Sequence, residues 1–182
     1  MRRLICAMGM AAVLMLAAAP MASAQPAQPM DGFGVGYLDV GPVLGIGGVG
    51  SASVSFGARG EYGFMALPNL GNGVLSVGAG VDHYSYNDFG FGFSYTPISG
   101  TVNYHFRLDN HQLDPFFGVG IGDYIVTTPA NCPGCSFNSG IYIVGRVGIR
   151  YFFTPMFAAY ADAEAGAGSL HVGVMIKLKG PQ

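Results

Sequence analysis

Charge is what this chain has least of. Asp, Glu, Lys and Arg make up 10% of its 182 residues, against roughly 25% in soluble domains. That is too little to wet the outside of a soluble barrel or sandwich. Long apolar runs are missing too. Beyond residue 24 no stretch approaches the ~20 residues a helix needs to cross a bilayer, although 51% of residues are hydrophobic and the mean hydropathy is +0.41. Thirty glycines, spread along the chain, argue against long helices in any setting. There is no basic tract, so nucleic acid is not an expected partner. A membrane-like composition without spanning helices points to a closed β-barrel, because lipid offers no hydrogen bonds to open strand edges.

The N-terminus supports export. Arg2 and Arg3 precede the apolar segment Leu4–Ala19, and Ala22-Ser23-Ala24 is a small-residue cleavage pattern. Residues 1–24 therefore read as a signal peptide, followed by a short flexible, Pro-rich leader over 25–36. Cys6 leaves with the signal. Cys132 and Cys135 remain as an even pair in an exported chain, for which a small structural disulfide is the expected state.

Eight strands are expected, at about 37–48, 53–66, 73–86, 93–108, 115–127, 139–153, 156–165 and 169–179, leaving a tail at 180–182. Their signature is a period of two, which sends successive side chains to opposite faces of a sheet. On the second strand Arg59 and Glu61 alternate with Val54, Phe56, Ala58, Tyr62 and Phe64. On the fourth, Ser99, Thr101, Asn103, His105 and Arg107 oppose Ile98, Val102, Tyr104 and Phe106. The sixth sets Arg146 and Arg150 against Ile141, Ile143, Val147 and Ile149. Tyr160, Asp162 and Glu164 oppose alanines on the seventh strand, and His171 and Lys177 oppose Leu170, Val172 and Val174 on the eighth. Asp39 and Asp82 join the charged side. His83 and Asp123 fall on the apolar side near strand ends, and Phe89, Phe91, Phe93 and Tyr95 fit an interfacial aromatic girdle. Such long apolar faces with so few charges imply inverted polarity, with lipid outside and charge inside.

Turn chemistry separates the strands: Pro68-Asn69-Leu70-Gly71-Asn72, Asp109-Asn110-His111 and Thr154-Pro155. With an even strand count, connections near 67–73, 109–114 and 154–156 share one end with both termini, the periplasmic end. Those near 49–52, 87–92, 128–138 and 165–169 lie at the extracellular end.

The candidate site is the inward charge network: Asp39, Arg59, Glu61, Asp82, His105, Arg107, Arg146, Arg150, Asp162, Glu164, His171 and Lys177. An eight-stranded barrel is just wide enough for its own side chains, so opposite charges should interleave as a polar plug. A conduit for protons or small ions is the sharper alternative. Gly45-Ile46-Gly47-Gly48-Val49-Gly50 has the spacing of a dinucleotide turn, but Ser51–Phe56 reads as strand, not as the helix that mechanism needs. Cys132-Pro133-Gly134-Cys135 lies in a turn, without the helix N-terminus a redox site requires. No cofactor or metal is expected. His83 and Ser85 would lie together on the lipid-facing side, an enzyme lead that lacks an outward acid on neighbouring strands; Asp88 is in the adjoining loop.

With these segments in place, the chain resembles the small outer-membrane barrels of the OmpA, OmpX and OmpW group. The resemblance covers about residues 37–179. It rests on the signal peptide, eight alternating strands, and segments such as Thr101–Phe106 followed by Asp114–Gly122. It implies an all-β, eight-stranded antiparallel up-and-down transmembrane barrel in the outer membrane. Its partners would be outer-membrane lipids, lipopolysaccharide and the barrel-assembly machinery, and it is expected to be a monomer. The expected role is non-catalytic: envelope integrity, surface interaction or limited, porin-like passage of small solutes. Alternatives are an OmpW-like transporter of small apolar compounds, which needs a wall gap beside Pro97 or Pro42, and a lipid A-modifying enzyme. The His83–Ser85 pair is similar to the arrangement in lipid A deacylases. A soluble lipocalin-like barrel is a further alternative.

Overall fold

A computed structural model describes residues 32–47, 54–88, 91–127, 140–166 and 169–182. Eight strands run in sequence order: β1 Leu38–Gly47, β2 Val54–Leu67, β3 Gly73–Asp88, β4 Phe91–His105, β5 Leu113–Thr127, β6 Ile141–Phe152, β7 Phe157–Ala165 and β8 Ser169–Lys179. Each pairs antiparallel with the next, and β8 pairs with β1 to close the barrel. Closure leaves no edge among these strands, so each finds backbone partners on both sides. The signal peptide and the two cysteines lie outside the described residues.

The alternation of the sequence becomes a radial sorting. Val40, Leu44, Phe56, Val77, Ile121, Ile143 and Val172 stand exposed on the wall, while Asp39, Arg59, Asp82, Arg146 and His171 are buried inside. Ile143 is 80% exposed and Arg150 0%, the reverse of a soluble core. Turn residues act as their chemistry dictates. Gly71 and Asn72 take the left-handed conformation in the β2–β3 turn (φ 65° and 57°). Thr154 Oγ1 accepts from the amides of Met156 and Phe157 (3.2 and 2.9 Å), and Asn110 Oδ1 accepts from that of Gln112 (3.1 Å). Inward glycines make room: a Cβ on Gly148 would stand 2.6 Å from the Ala161 carbonyl oxygen.

The strand ends differ from expectation at two points that matter. β4 stops at His105 and not at residue 108, so Arg107 leaves the barrel wall. β5 begins at Leu113 instead of Pro115, and that brings Asp114 inside. Two ladders also skip beside proline. On the β3–β4 seam, partners run from Val81–Ile98 to Tyr84–Tyr95, passing over Pro97. On the β1–β8 seam they run from Val40–Ile176 to Val43–Gly173, passing over Gly41 and Pro42. Proline has no N–H to give to a ladder.

Of the segment expected to be flexible, residues 32–36 are described, and they close the end of the barrel that carries both termini. Phe33 is buried, the Gly36 amide donates to the Gly63 carbonyl (2.8 Å), and the Gln182 amide donates to that of Val35 (2.8 Å). Phe33 joins Tyr37, Val74, Phe116, Phe152, Tyr160 and Met175 in the larger apolar cluster of the interior.

Candidate functional site: the ionic interior

Six carboxylates (Asp39, Glu61, Asp82, Asp114, Asp162 and Glu164), three arginines and two histidines are buried inside the barrel. They separate into two clusters stacked along its axis. The one nearer the termini centres on Arg150. Its Nη1 donates to Asp114 Oδ2 (3.1 Å), its Nη2 to Glu61 Oε2, and its Nε lies 3.1 Å from Asp39 Oδ2 without hydrogen-bond geometry. Three ring faces surround the same guanidinium, those of Phe33 and Phe116 at 5.1 Å and Tyr160 at 5.6 Å. A cation held by three carboxylates and three π-faces is desolvated and compensated together.

His105 completes this cluster. Its Nε2 lies 2.7 Å from Glu61 Oε1 and its Nδ1 2.8 Å from Asp114 Oδ1. The Phe33 ring stacks on it at 3.7 Å. Ser76 Oγ stands 3.0 Å from the same Nε2 and donates to Glu61, which also accepts from Asn103 Nδ2 (2.6 Å). Ser76, His105 and Asp114 thus lie at the separations of a nucleophile, base and orienting acid. The Ser76 hydroxyl is directed to Glu61, and Ser76 is 0% exposed.

The second cluster joins Arg59 and Arg146. Arg59 Nη2 donates to Asp82 Oδ2 (2.8 Å), reaches Glu164 at 3.9 Å and lies 3.0 Å from His171 Nε2. Arg146 pairs with Asp162 (2.9 Å) and Glu164 (2.6 Å). His171 Nδ1 meets Asp162 Oδ1 at 2.7 Å, and Tyr160 donates to Asp162 Oδ2 (3.0 Å). Asp162, Glu164 and His171 place ligand atoms within 4.8 Å of one another. Guanidiniums already occupy the faces a cation would use.

Ten of the twelve residues expected in the network are therefore brought together. Two are not. Arg107 is exposed beyond the end of β4, where its Nη1 donates to the Phe33 carbonyl (2.9 Å). Lys177 keeps the inward parity, but it is partly exposed, and Asp39, across the strand from it, faces Arg150. Asp114 is the member sequence reasoning missed. Its parity with Phe116 and Gly118 is readable, but a strand opening at Pro115 leaves it out. Phe33 was hidden inside the expected leader.

The other candidates also have places. His83 faces outward, against Phe56 at 5.4 Å, with Nδ1 3.0 Å from Thr96 Oγ1. Ser85 is exposed and Asp88 ends β3, opposite Phe91. Phe93 and Tyr95 do not form an outer girdle; each is 8% exposed and faces inward. They share the odd-numbered parity of Ser99 and Thr101, which an aromatic-belt reading ignores. Tyr95 packs with Tyr84 and Val126 at the end away from the termini.

No protein family and no curated protein matches the chain in sequence. Among solved structures it is similar to the N-terminal β-barrel domain of Pseudomonas aeruginosa OprF, at 18% identity over 80% of this chain and 100% of that one, TM-score 0.57. It is similar as well to neisserial surface protein A (17%, 78% and 96%, TM-score 0.55). A third is the outer membrane protein OprG of Pseudomonas aeruginosa (11%, 83% and 96%, TM-score 0.54). The chain has the fold of the small eight-stranded outer-membrane barrels, as the sequence resemblance implied.

Proposed function

We propose that this protein is a non-catalytic, integral outer-membrane barrel, exported by its signal peptide and monomeric, whose ionic interior closes it to bulk solute. Its role is then in envelope integrity or surface interaction, among outer-membrane lipids and lipopolysaccharide after delivery by the barrel-assembly machinery. The observation that carries this reading is that every buried arginine of the interior is paired with carboxylates of the same interior. Phe33 lies at one end of the stack and Tyr84 with Tyr95 at the other. A solute crossing the bore would have to part guanidinium from carboxylate in a desolvated setting. Outer-membrane fractionation with heat-modifiable gel migration tests the location. Planar-bilayer recording tests the closure: the expected trace is flat, and reproducible unitary steps would overturn it.

A second reading, lateral passage of small apolar compounds, is favoured by the two skipped ladders beside Pro97 and Pro42. It predicts uptake of a small apolar dye into proteoliposomes that a His83→Cys/Thr96→Cys disulfide across the seam abolishes. Uptake no faster than in empty liposomes defeats it. The disulfide between Cys132 and Cys135 is a separate proposal, tested by mass spectrometry of the unreduced protein.

A further inference from the structure

At the end of the barrel that carries the termini, the outer wall formed by β3, β4 and β5 is hollowed into a groove of 740 Å³. Val102, Tyr104, Phe117 and Val119 line it, and Phe106 and Arg107 edge it. Tyr104, Phe106 and Phe117 form a three-ring cluster with centroids 5.0, 5.7 and 5.8 Å apart. The Tyr104 hydroxyl donates to the Leu70 carbonyl, tying the β2–β3 turn to the groove. The hollow is therefore braced by ring contacts and a turn.

Arg107 is the odd arginine of the barrel. Arg59, Arg146 and Arg150 are buried on carboxylates. Arg107 is exposed, its Nη1 is fixed by the Phe33 carbonyl, and it has no carboxylate partner among the described residues. A guanidinium oriented from one side presents the rest of its planar fork to an anion. It lies two residues past the end of β4, where the wall meets the headgroup region, and aromatic rings favour that depth.

We propose that this groove binds an anionic glycerophospholipid, one acyl chain lying along the aromatic floor and the phosphate on Arg107. The proposal rests on the membrane reading above. Hydrocarbon suits an apolar hollow in a bilayer-facing wall, and the uncompensated cation at its edge selects an anionic headgroup. Arg107, placed in the interior network by its sequence parity, thereby acquires a role that its exposure allows.

The chain contains no tryptophan, so one introduced indole reports its own lipid neighbours. The full-length mature protein carrying Phe106→Trp would be reconstituted in vesicles containing brominated phosphatidylglycerol or brominated phosphatidylcholine, and quenching compared at low salt. Phe157→Trp, on the far wall at the same end, is the reference site. The expected preference for phosphatidylglycerol at residue 106 is about threefold, within the range of an exposed charge pair, and near one at residue 157. It falls to near one in Phe106→Trp/Arg107→Gln and is retained in part by Arg107→Lys. Equal quenching by both lipids at residue 106, or a preference that survives Arg107→Gln, overturns the lipid site and leaves the membrane reading standing. If neither tryptophan is quenched by any brominated lipid, both readings fall.

Discussion

Replacing Arg150 by methionine is the sharpest test of the interior. The substitution keeps most of the side chain's volume and leaves Asp39, Glu61 and Asp114 without the cation all three share. Glu61 then keeps His105, Ser76 and Asn103, Asp114 keeps His105, and Asp39 keeps the Tyr37 hydroxyl at 3.2 Å. Removing one partner of a buried ion pair typically costs roughly 3–5 kcal/mol, because the other charge stays behind. Three stranded carboxylates put Arg150→Met at or above that range. For a urea slope near 2 kcal/mol/M, a loss of about 4 kcal/mol lowers the midpoint by roughly 2 M. The assay is urea unfolding of the barrel in lipid vesicles, followed by heat-modifiable migration. Glu61→Gln supplies the second leg of a cycle. If the two residues act as an ion pair, the double variant is less destabilised than the sum of the singles, by roughly 1–3 kcal/mol. A loss under about 1 kcal/mol in Arg150→Met, or strict additivity in the cycle, would refute the idea that this guanidinium holds the carboxylates of the cluster nearer the termini.

Three further outcomes follow from the same geometry. Phe33→Ala removes the ring that stacks on His105 and lies 5.1 Å from Arg150. It should cost roughly 3–5 kcal/mol in the same unfolding assay, and a change below about 1 kcal/mol would show that the segment merely rests on the mouth. Lys177→Gln should shift stability by no more than about 0.5 kcal/mol, since this residue is partly exposed and outside both clusters. Ser76→Ala should leave any ester hydrolysis by the purified barrel at the level of a protein-free control, while destabilising the fold by about 1–3 kcal/mol through the hydrogen bond lost from Glu61. Hydrolysis that is present in the parent and lost in the variant would identify Ser76 as a nucleophile.

How much of the fold and its interior is legible in the sequence depends on whether one strand can carry the information. Strict alternation in β2 and β6 is enough to put Arg59, Glu61, Arg146 and Arg150 on the inner face, because a two-residue period leaves each side chain only two choices. The closure of β8 on β1 follows from the need to leave no edge in lipid. Ends are harder. Arg107 obeys the β4 parity and still escapes the interior, since parity holds only while the ladder lasts, and this one ends at His105. Asp114 is the converse, an inner residue one step before the proline expected to open β5. Which acids meet which bases is beyond reach: the partners of Arg150 come from β1, β2 and β5. Such pairings depend on barrel stagger and side-chain reach, neither of which one strand's pattern encodes.

The inverted polarity also explains why an interior so rich in charge can be worth keeping. Lipid tails are as apolar as leucine, so in a bilayer a hydrophobic interior would gain little over the wall outside it. An ionic interior does something an oily one cannot, which is to penalise the wrong register. Sliding a strand by one residue turns its inner set outward. For β2, β6 or both, that would place Arg59, Arg146 or Arg150 against hydrocarbon, where an arginine near the midplane costs roughly 2–4 kcal/mol. Arg59 and Arg146, each near the middle of its strand, would together cost on the order of 4–8 kcal/mol, before Arg150 or any stranded carboxylate is counted. That is comparable with the whole stability of a typical domain. The strands of this barrel are rich in alternating glycine and alanine, which specify register weakly. The two ion clusters, stacked along the axis, supply the missing specification. On this view a charge-neutral replacement of the Arg150 cluster by apolar residues keeps much of the stability and loses the single register. Cross-strand disulfide trapping between Gly60 and Ala79, paired in the native ladder, would detect this as a mixture of trapped and untrapped barrels. Complete trapping at the native pair in that variant would show that turns and outer-face packing fix the register without the charges.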